Sequence, residues 1–164
     1  MRVVVLADTH IRRGGSRRLP DLVYAELDRA EAIVHAGDLV VPELLDELAG
    51  FAPVHAVLGN NDAELVGTLP EARQLSLGGV VVAVIHDAGP RAGRERRMAR
   101  RFPDARVVVY GHSHIPDERA GIGDQTLFNP GSPTDRRSQP RHTFGVLEVE
   151  DGAVRSLRVV PVES

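Results

Sequence analysis

The strongest constraint on the fold of this chain is a series of short apolar runs, rich in β-branched residues, that each end at glycine or a polar residue. The runs are Val3–Leu6, Ala32–His35, Val54–Leu58, Val80–Ile85 and Val107–Tyr110. Continuous apolar runs of this length are typical of strands that are buried on both faces. Between the first three runs, leucine and valine recur at helical spacing over residues 19–27 and again over 44–48, after Pro42. The pattern predicts the order β-α-β-α-β.

The last third of the chain has a different pattern, in which strands dominate. We predict strands over Gln125–Phe128, Thr143–Glu150 and Ala153–Val160, and the dipeptide Asp151-Gly152 indicates a tight hairpin turn between the last two. Neither a linker-like stretch nor an internal repeat divides the 164 residues. We therefore expect residues 1–164 to form a single domain, which at this length needs no disulfide or metal merely to fold.

Two residue types are absent from the sequence, and their absence excludes several chemistries. All 20 basic residues are arginine, so no lysine is available for a P-loop or a Schiff base. The sequence also has no cysteine, which excludes thiolate nucleophiles, thiolate zinc sites and iron–sulfur clusters. Any metal must be bound by oxygen and imidazole ligands.

The amino end, MRVVVLADTH, enters a strand-like run directly and has no signal-like segment. No apolar stretch approaches the roughly 20 residues that a membrane-spanning helix needs. We therefore expect a soluble, cytoplasmic protein with no membrane partner. Pairing of edge strands in a homo-oligomer is compatible with the sequence, although no pattern requires it.

One segment, Arg91–Arg101, is unusually basic, with six arginines and one glutamate. We predict a helix with a solvated charged face, whose residues Ala92, Ala99 and Phe102 are directed inward. The alternative interpretation of its charge is a surface that steers an anionic substrate or contacts nucleic acid.

Each of the five apolar runs is followed by potential metal ligands. In chain order these are Asp8 with His10, Asp38, Asn60 with Asp62, His86, and His112 with His114. Sites in α/β sheets assemble outside the carboxyl ends of the strands, so these side chains can converge although they are far apart in sequence. A single residue of this kind is more often a helix cap, a turn residue or a structural histidine. Five successive strand ends instead indicate a cation, because converging buried carboxylates and imidazoles are costly without one.

A resemblance to a known family rests on an ordered set of motifs: Asp8-x-His10, Gly37-Asp38, Gly59-Asn60-x-Asp62, His86 and Gly111-His112-x-His114. This set is similar to that of the calcineurin-like metallophosphoesterase superfamily. It most closely resembles the small single-domain bacterial and archaeal phosphodiesterases, whose typical segment is present as Asn129-Pro130-Gly131-Ser132. The resemblance implies an α/β (α+β) fold, a four-layer αββα sandwich of two mixed β-sheets flanked by helices.

The resemblance also implies a dinuclear metal centre. One ion would be bound by Asp8, His10, Asp38 and His114, and the other by Asp38, Asn60, His86 and His112, with Asp38 as the bridge. Imidazole, carboxylate and amide ligands suit Mn²⁺, Fe²⁺, Zn²⁺, Ni²⁺, Co²⁺ or Mg²⁺ and do not select among them. Mn²⁺ is the expectation from the resemblance.

The chemistry of such a centre agrees with phosphoester hydrolysis. Two divalent ions outweigh two carboxylates in charge, so the centre attracts an anionic phosphate ester. Paired ions about 3.5–4 Å apart lower the pKa of a bridging water and orient the hydroxide for in-line attack on phosphorus. We therefore expect a metal-dependent phosphodiesterase that acts on a small phosphoester.

Two positions depart from the family pattern. The superfamily often has histidine where Asn61 stands, and an amide donates a hydrogen bond to a phosphate but delivers no proton to a leaving group at neutral pH. The resemblance implies catalytic roles for Asn61, beside the substrate phosphate, and for Asp62, which we expect to orient Asn61. Asp87 stands where the family usually has glycine, and it could either reduce the positive charge of the site or bind an imidazole.

The remaining candidates have weaker interpretations. His35, His55 and His142 are interpreted as structural, with His35 a hydrogen-bonded core residue or a partner of a ligand, and His142 able to approach the site. Asn129–Ser132 could be a tight turn or could contact substrate directly. A guanidinium of the segment 136–141 could bind a substrate phosphate.

Two alternative functions remain open from the sequence. A phosphomonoesterase or a nuclease on nucleotide substrates is the first, although a net charge of −3 and an aromatic content of 4% argue against a long nucleic-acid footprint. A metal-binding protein-interaction scaffold is the second, because a retromer subunit resembles this fold. Such scaffolds tend to lose a ligand, whereas every ligand position is retained in this sequence.

Overall fold

Within residues 1–163, which the computed structural model describes, the chain forms ten strands and three α-helices. The strands are β1 (Arg2–Leu6), β2 (Ala32–His35), β3 (Val54–Ala56), β4 (Ala72–Leu77), β5 (Val80–Ile85), β6 (Val107–Val109), β7 (Asp117–Ala120), β8 (Thr126–Asn129), β9 (Thr143–Glu150) and β10 (Ala153–Pro161). The helices are α1 (Asp21–Leu27), α2 (Pro42–Ala49) and α3 (Arg94–Arg101).

The strands form two mixed five-stranded sheets. The first has the order β10-β9-β1-β2-β3, and the second has the order β4-β5-β6-β8-β7. In the first sheet β1, β2 and β3 are parallel, and β9 and β10 are antiparallel additions. In the second sheet β5, β6 and β8 are parallel, and β4 and β7 are antiparallel edge strands.

Alternation along the strands divides the apolar side chains between two faces. Val4 of β1 pairs with Ile33 of β2, and both belong to the cluster beneath α1 and α2. Val5 pairs with Val34, and both belong to the cluster between the two sheets. A third cluster packs Met98 of α3 and Phe102 directly after it against the outer face of the second sheet. Three clusters separating four layers confirm the predicted αββα sandwich, and burial on both faces explains why residues 3–6 of β1 and 32–34 of β2 are apolar throughout.

Two strands were not predicted from the sequence. β4 is amphipathic and precedes a turn at Gly78 and Gly79, which have φ of 58° and 85°. A Gly-Gly pair between apolar segments favours a two-residue hairpin turn, so a hairpin of β4 and β5 could have been predicted from the sequence. β7 has the polar sequence DERA at an edge of its sheet and carries no hydrophobic pattern that would have revealed it.

The basic helix α3 is shorter than predicted. It begins at Arg94, after Gly93 at φ 74°, and not at Arg91. The prediction that Ala92 is directed inward is wrong, because this residue lies before the helix and is exposed. Phe102 is buried as predicted, and Met98 supplies the other buried contact.

The topology brings the strand ends to one edge of the sandwich. Asp8 and Asp38 follow strands of the first sheet, whereas His86 and His114 follow strands of the second. Smaller differences from the predicted bounds, such as the end of β3 at Ala56, leave these loops in place. No helix within residues 1–163 is long and apolar enough to cross a membrane.

Candidate metal centre

The loops after four strands bring together two clusters of potential metal ligands. One consists of Asp8, His10 and His114, and the other of Asp8, Asp38 and His86. In each cluster the candidate ligand atoms lie within 4.8 Å of one another. The Oδ2 atom of Asp38 lies 3.3 Å from His10 Nε2 and 3.4 Å from His86 Nε2, so this carboxylate stands between the two groups.

The backbone of these loops is strained. Five of the seven predicted ligands have positive φ: Asp8 (55°), His10 (46°), Asp38 (62°), His112 (73°) and His114 (62°). Residues other than glycine rarely adopt this conformation, and it persists only where the surroundings enforce it. The amide of Asp8 donates to the carbonyl of Gly37 at 3.0 Å, and the amide of His10 donates to the carbonyl of Asp38 at 2.9 Å. The loops after β1 and β2 therefore hold each other in this conformation.

Two histidine rings are oriented by backbone carbonyls. His86 Nδ1 lies 2.7 Å from the carbonyl oxygen of Ala36, and His114 Nδ1 is hydrogen-bonded to the carbonyl of Asp135. A carbonyl only accepts, so each Nδ1 carries a proton and each Nε2 faces the carboxylates. Burial lowers the pKa of His114 and of His10, which keeps both imidazoles neutral. Burial also acts to lower the pKa of His86, but hydrogen bonding and charge from Asp38 raise it, so Nε2 of His86 would release a proton on binding a metal.

Asp8 is the residue whose environment most requires a cation. Its side chain is fully buried, and neither carboxylate oxygen has a hydrogen-bond partner. Burial raises the pKa of Asp8 to about 7 despite the neighbouring His86. Unpaired buried charge is costly, and a bound cation would remove that cost.

Asp38 has the opposite electrostatic character. Burial acts to raise its pKa, but hydrogen bonding and charge from His86, together with hydrogen bonds from Asn61, outweigh burial and hold the pKa below its ordinary value. Asn61 donates to this carboxylate from its backbone amide at 2.9 Å and from its Nδ2 at 3.1 Å. Asp38 is therefore ionised, and it is the residue that orients Asn61.

The prediction that Asp62 orients Asn61 is wrong. The Asp62 carboxylate is buried and accepts three backbone amides, from Asp38 at 2.8 Å, Val40 at 2.7 Å and Gly59 at 2.7 Å. Asp38 and Val40 both have positive φ. Asp62 thus holds the strained loop that presents Asp38, and its oxygens are not available to a substrate.

Three glycines allow the loops to approach one another closely. A Cβ atom at Gly59 would lie 2.2 Å from Asp38 Oδ1, and one at Gly111 would lie 2.9 Å from Asp8 Oδ2. At Gly37, φ is 99° and a Cβ atom would lie 2.7 Å from His86 Nδ1. At Gly59 and Gly111 the requirement is therefore the missing side chain, and at Gly37 it is also the positive φ.

Of the other two predicted ligands, His112 lies outside both clusters, and Asn60 lies beside the second. Both side chains are exposed. The His112 ring is perpendicular to that of His86, with 5.2 Å between the ring centroids. Asn60 lines a cavity of about 390 Å³ together with His86. Both residues therefore border the second cluster at its open side, next to His86.

The other histidines have structural surroundings. His35 is fully buried, its Nδ1 accepts the Gly37 amide at 3.1 Å, and its Nε2 lies 3.0 Å from Thr9 Oγ1. The interpretation of His35 as a hydrogen-bonded core residue is confirmed. His142 does not contact the clusters but pairs with Glu163 after β10. His55 is half-buried on β3.

The loop after β8 supports the centre in a way that sequence reasoning missed. Ser132 Oγ donates to the carbonyl of Asp8 at 2.8 Å, and Thr134 Oγ1 donates to the carbonyl of Thr9 at 2.6 Å. Asn129 Nδ2 donates to the carbonyl of Gly111 at 3.2 Å. Asn129 and Ser132 are almost completely buried, which contradicts the alternative of direct substrate contact. This segment ties the end of β8 to the loops after β1 and β6.

The fold and the paired clusters define a metallophosphoesterase-type domain. The family model described as the calcineurin-like phosphoesterase superfamily domain matches residues 1–152, and the chain belongs to this superfamily. A probable metallophosphoesterase of Methanothermobacter thermautotrophicus is 37% identical over 136 residues, which cover 82% of this chain and 78% of that protein.

Two further similarities agree with this assignment. A probable metallophosphoesterase of Methanocaldococcus jannaschii is 34% identical over 168 residues, covering 99% of this chain and 82% of the relative. Among solved structures, wild-type Vps29 from Entamoeba histolytica complexed with zinc has a TM-score of 0.77 at 24% identity, covering 99% of this chain and 100% of that chain. The latter likeness concerns the fold alone.

Proposed function

We propose that this protein is a phosphodiesterase whose centre binds two divalent cations. The observation that carries the proposal is the pair of clusters sharing Asp8, a fully buried carboxylate with no hydrogen-bond partner. We assign one ion to Asp8, His10, Asp38 and His114, and the other to Asp38, Asn60, His86 and His112. The position of Asp38 Oδ2 between His10 and His86 supports a bridging role.

The residues are suited to the chemistry of such a centre. When bound, two divalent cations activate a water molecule for in-line attack and neutralise charge on the phosphoryl oxygens. The ionised Asp38 and the neutral His10 and His114 already have the protonation states that ligation requires. Oxygen and imidazole ligands without sulfur suit several divalent metals, and the resemblance to the superfamily makes Mn²⁺ the first to test.

Asn61 is the group we assign to the substrate phosphate. Its side chain is exposed next to the centre, and Asp38 holds its amide nitrogen. A second N–H of that amide is left to donate to a phosphoryl oxygen. An amide has no proton to give to a departing alkoxide. Replacement of histidine at this position also occurs in the small phosphodiesterase branch that the sequence resembles, which supports a diester as the substrate.

The test is hydrolysis by metal-stripped protein to which Mn²⁺, Ni²⁺, Zn²⁺ or Mg²⁺ is added back. Bis(p-nitrophenyl) phosphate and p-nitrophenyl phosphate report diester and monoester cleavage. Asp38→Asn and His114→Ala should each lower metal-dependent diester turnover by about 100-fold or more, because each removes a ligand. His142→Ala, which changes a histidine paired with Glu163, is the matched control and should retain turnover.

Retention of full turnover by Asp38→Asn or His114→Ala would overturn the proposal. Faster cleavage of the monoester would instead indicate a phosphomonoesterase. Affinity for a polynucleotide that falls steeply with salt would indicate a nuclease. Two bound ions with no turnover, and a stoichiometric partner co-purifying with the protein, would favour the scaffold.

A further inference from the structure

The centre opens into two cavities of opposite charge. The first, of about 390 Å³, adjoins His86 and Asn60 and is bordered by the charged residues Glu71, Asp87 and Arg101. The second, of about 420 Å³, has His10 as one wall and is otherwise lined by Arg12, Gly15, Ser16, Arg17 and Asp135. Carboxylates outnumber arginines in the first cavity, and arginines outnumber carboxylates in the second.

The arginines of the loop before α1 differ in whether they form ion pairs. Arg13 is paired with Glu43 and Glu64, and Arg18 with Asp21, all at the exposed surface. Arg12, which lines the second cavity, has no side-chain hydrogen bond or ion pair to any residue in the range 1–163.

Arg17, which lines the same cavity, is hydrogen-bonded to a residue of the centre. One of its Nη atoms donates to the carbonyl of His10 at 3.2 Å, and Asp135 Oδ2 lies 3.7 Å away. The guanidinium is therefore fixed next to a candidate ligand while most of its donors remain free.

On the basis of the proposed function, we propose that Arg12 and Arg17 form an anion subsite that binds a second phosphate group of the substrate. The first phosphate lies at the centre, and His10 is the wall between the two positions. The planar fork of arginine matches the oxygens of a phosphate and gives paired, charge-assisted hydrogen bonds. Glu71 and Asp87 disfavour an anion in the opposite cavity, so the substrate is a phosphoester with one further phosphate, oriented toward Arg12.

Binding is measured by titration calorimetry on the Mn²⁺-loaded protein, which requires no turnover. The probes are propyl phosphate and propane-1,3-diyl bisphosphate, which differ by one phosphate. The wild-type protein should bind the bisphosphate about tenfold or more tightly than the monophosphate, as expected for one added set of charge-assisted hydrogen bonds. In Arg12→Gln/Arg17→Gln this preference should fall below about threefold.

The matched control is Arg96→Gln/Arg100→Gln, which removes the same charge from exposed positions of α3. It should keep the wild-type preference, which separates the subsite from general attraction of anions. Equal affinity of the wild-type protein for the two probes, or equal loss of preference in both double variants, would overturn the subsite. Hydrolysis of the chromogenic diester in the same samples shows independently whether the proposed function holds.

Discussion

At the scale of single residues, the candidate centre is built from unfavourable conformations and charges. Asp8 is a buried carboxylate with a pKa raised to about 7, and it shares positive φ with His10, Asp38 and His114. Each such backbone position costs about 1–3 kcal/mol. Buried partners offset that cost: Asp62 binds the amides around Asp38, and Ser132 binds the carbonyl of Asp8. The partners are therefore as necessary to the site as the ligands.

His35 is the partner with a clear pH signature. It is fully buried, and burial lowers its pKa to about 3, whereas the unfolded chain has an ordinary histidine pKa of about 6.5. The unfolded state therefore binds the proton first as the pH falls, and the stability that neutral His35 provides is complete above about pH 6.5 and is lost toward pH 3. Between pH 7 and pH 5 the wild-type protein should lose about 2 kcal/mol more unfolding free energy than His35→Gln.

Urea unfolding of both metal-free proteins at the two pH values measures this difference. His55→Gln, which changes a half-buried histidine on β3, serves as the control. Parallel loss of stability in wild type and His35→Gln would show that His35 is not the titrating group.

At the scale of elements, the centre depends on how closely the loops after the strands approach one another. The loop after β3 touches the loop after β2 so tightly that a Cβ atom at Gly59 would meet Asp38 Oδ1 at 2.2 Å and Asp38 N at 2.3 Å. The amide nitrogen belongs to a backbone held by Asp62, and the carboxylate oxygen is held by the backbone amide of Asn61. The clash has no flexible side chain to relieve it.

Gly59→Ala should therefore displace Asp38. We expect a loss of about 1–3 kcal/mol in unfolding free energy, as for other overpacked sites, and a weaker affinity for Mn²⁺. Gly50→Ala at the end of α2, where φ is −68° and the nearest atom is Glu47 O at 3.3 Å, should change stability by no more than about 0.5 kcal/mol. Urea unfolding and a calorimetric Mn²⁺ titration test both variants, and indistinguishable results for the two would contradict this account.

At the scale of the whole molecule, the centre joins the two sheets. Asp8 and Asp38 follow strands of the first sheet, and His86 and His114 follow strands of the second. Each of the two proposed cations would have ligands from both sheets and would tie the sheets together at the edge where both end. Metal binding should therefore stabilise the entire fold, since a ligand that binds only the native state raises the unfolding free energy.

The variant Asp8→Asn separates the stabilisation by bound metal from the electrostatic cost of the buried Asp8 carboxylate. The wild-type folded state retains a proton on Asp8 between about pH 4 and pH 7, so the metal-free protein loses stability as the pH rises through that window. At pH 8 the metal-free variant should be more stable than wild type by roughly 1–4 kcal/mol, because an uncompensated buried charge is gone. The rise in Tm that Mn²⁺ produces in the wild type should be smaller in the variant, which retains the ligands assigned to the second ion.

Thermal unfolding with and without Mn²⁺ at pH 8 measures both effects. Asp151→Asn in the hairpin turn between β9 and β10 is the control for loss of a carboxylate with positive φ. A full metal-induced rise in Tm in Asp8→Asn would remove Asp8 from the ligand set.

The sequence by itself determined the central strands and the candidate ligands that the structure brings together in two clusters. Residues 3–6, 32–34 and 80–85 are apolar throughout because they lie in strands buried on both faces, and the polar residues after them are recognisable because the apolar runs end abruptly. Such signals are local, and they do not depend on knowing the partner of each segment. The resemblance to the superfamily added the four-layer architecture.

Only the tertiary structure decided how these residues act on one another. Asp62 holds the Asp38 loop, Asn61 is oriented by Asp38, and Ser132 supports Asp8 from a position far along the chain. The edge strand β7 could not be predicted from the sequence, because its polar residues adopt the strand conformation through pairing with β8. These contacts join segments that are distant in sequence, and their geometry follows from packing the two sheets face to face, which no local pattern encodes.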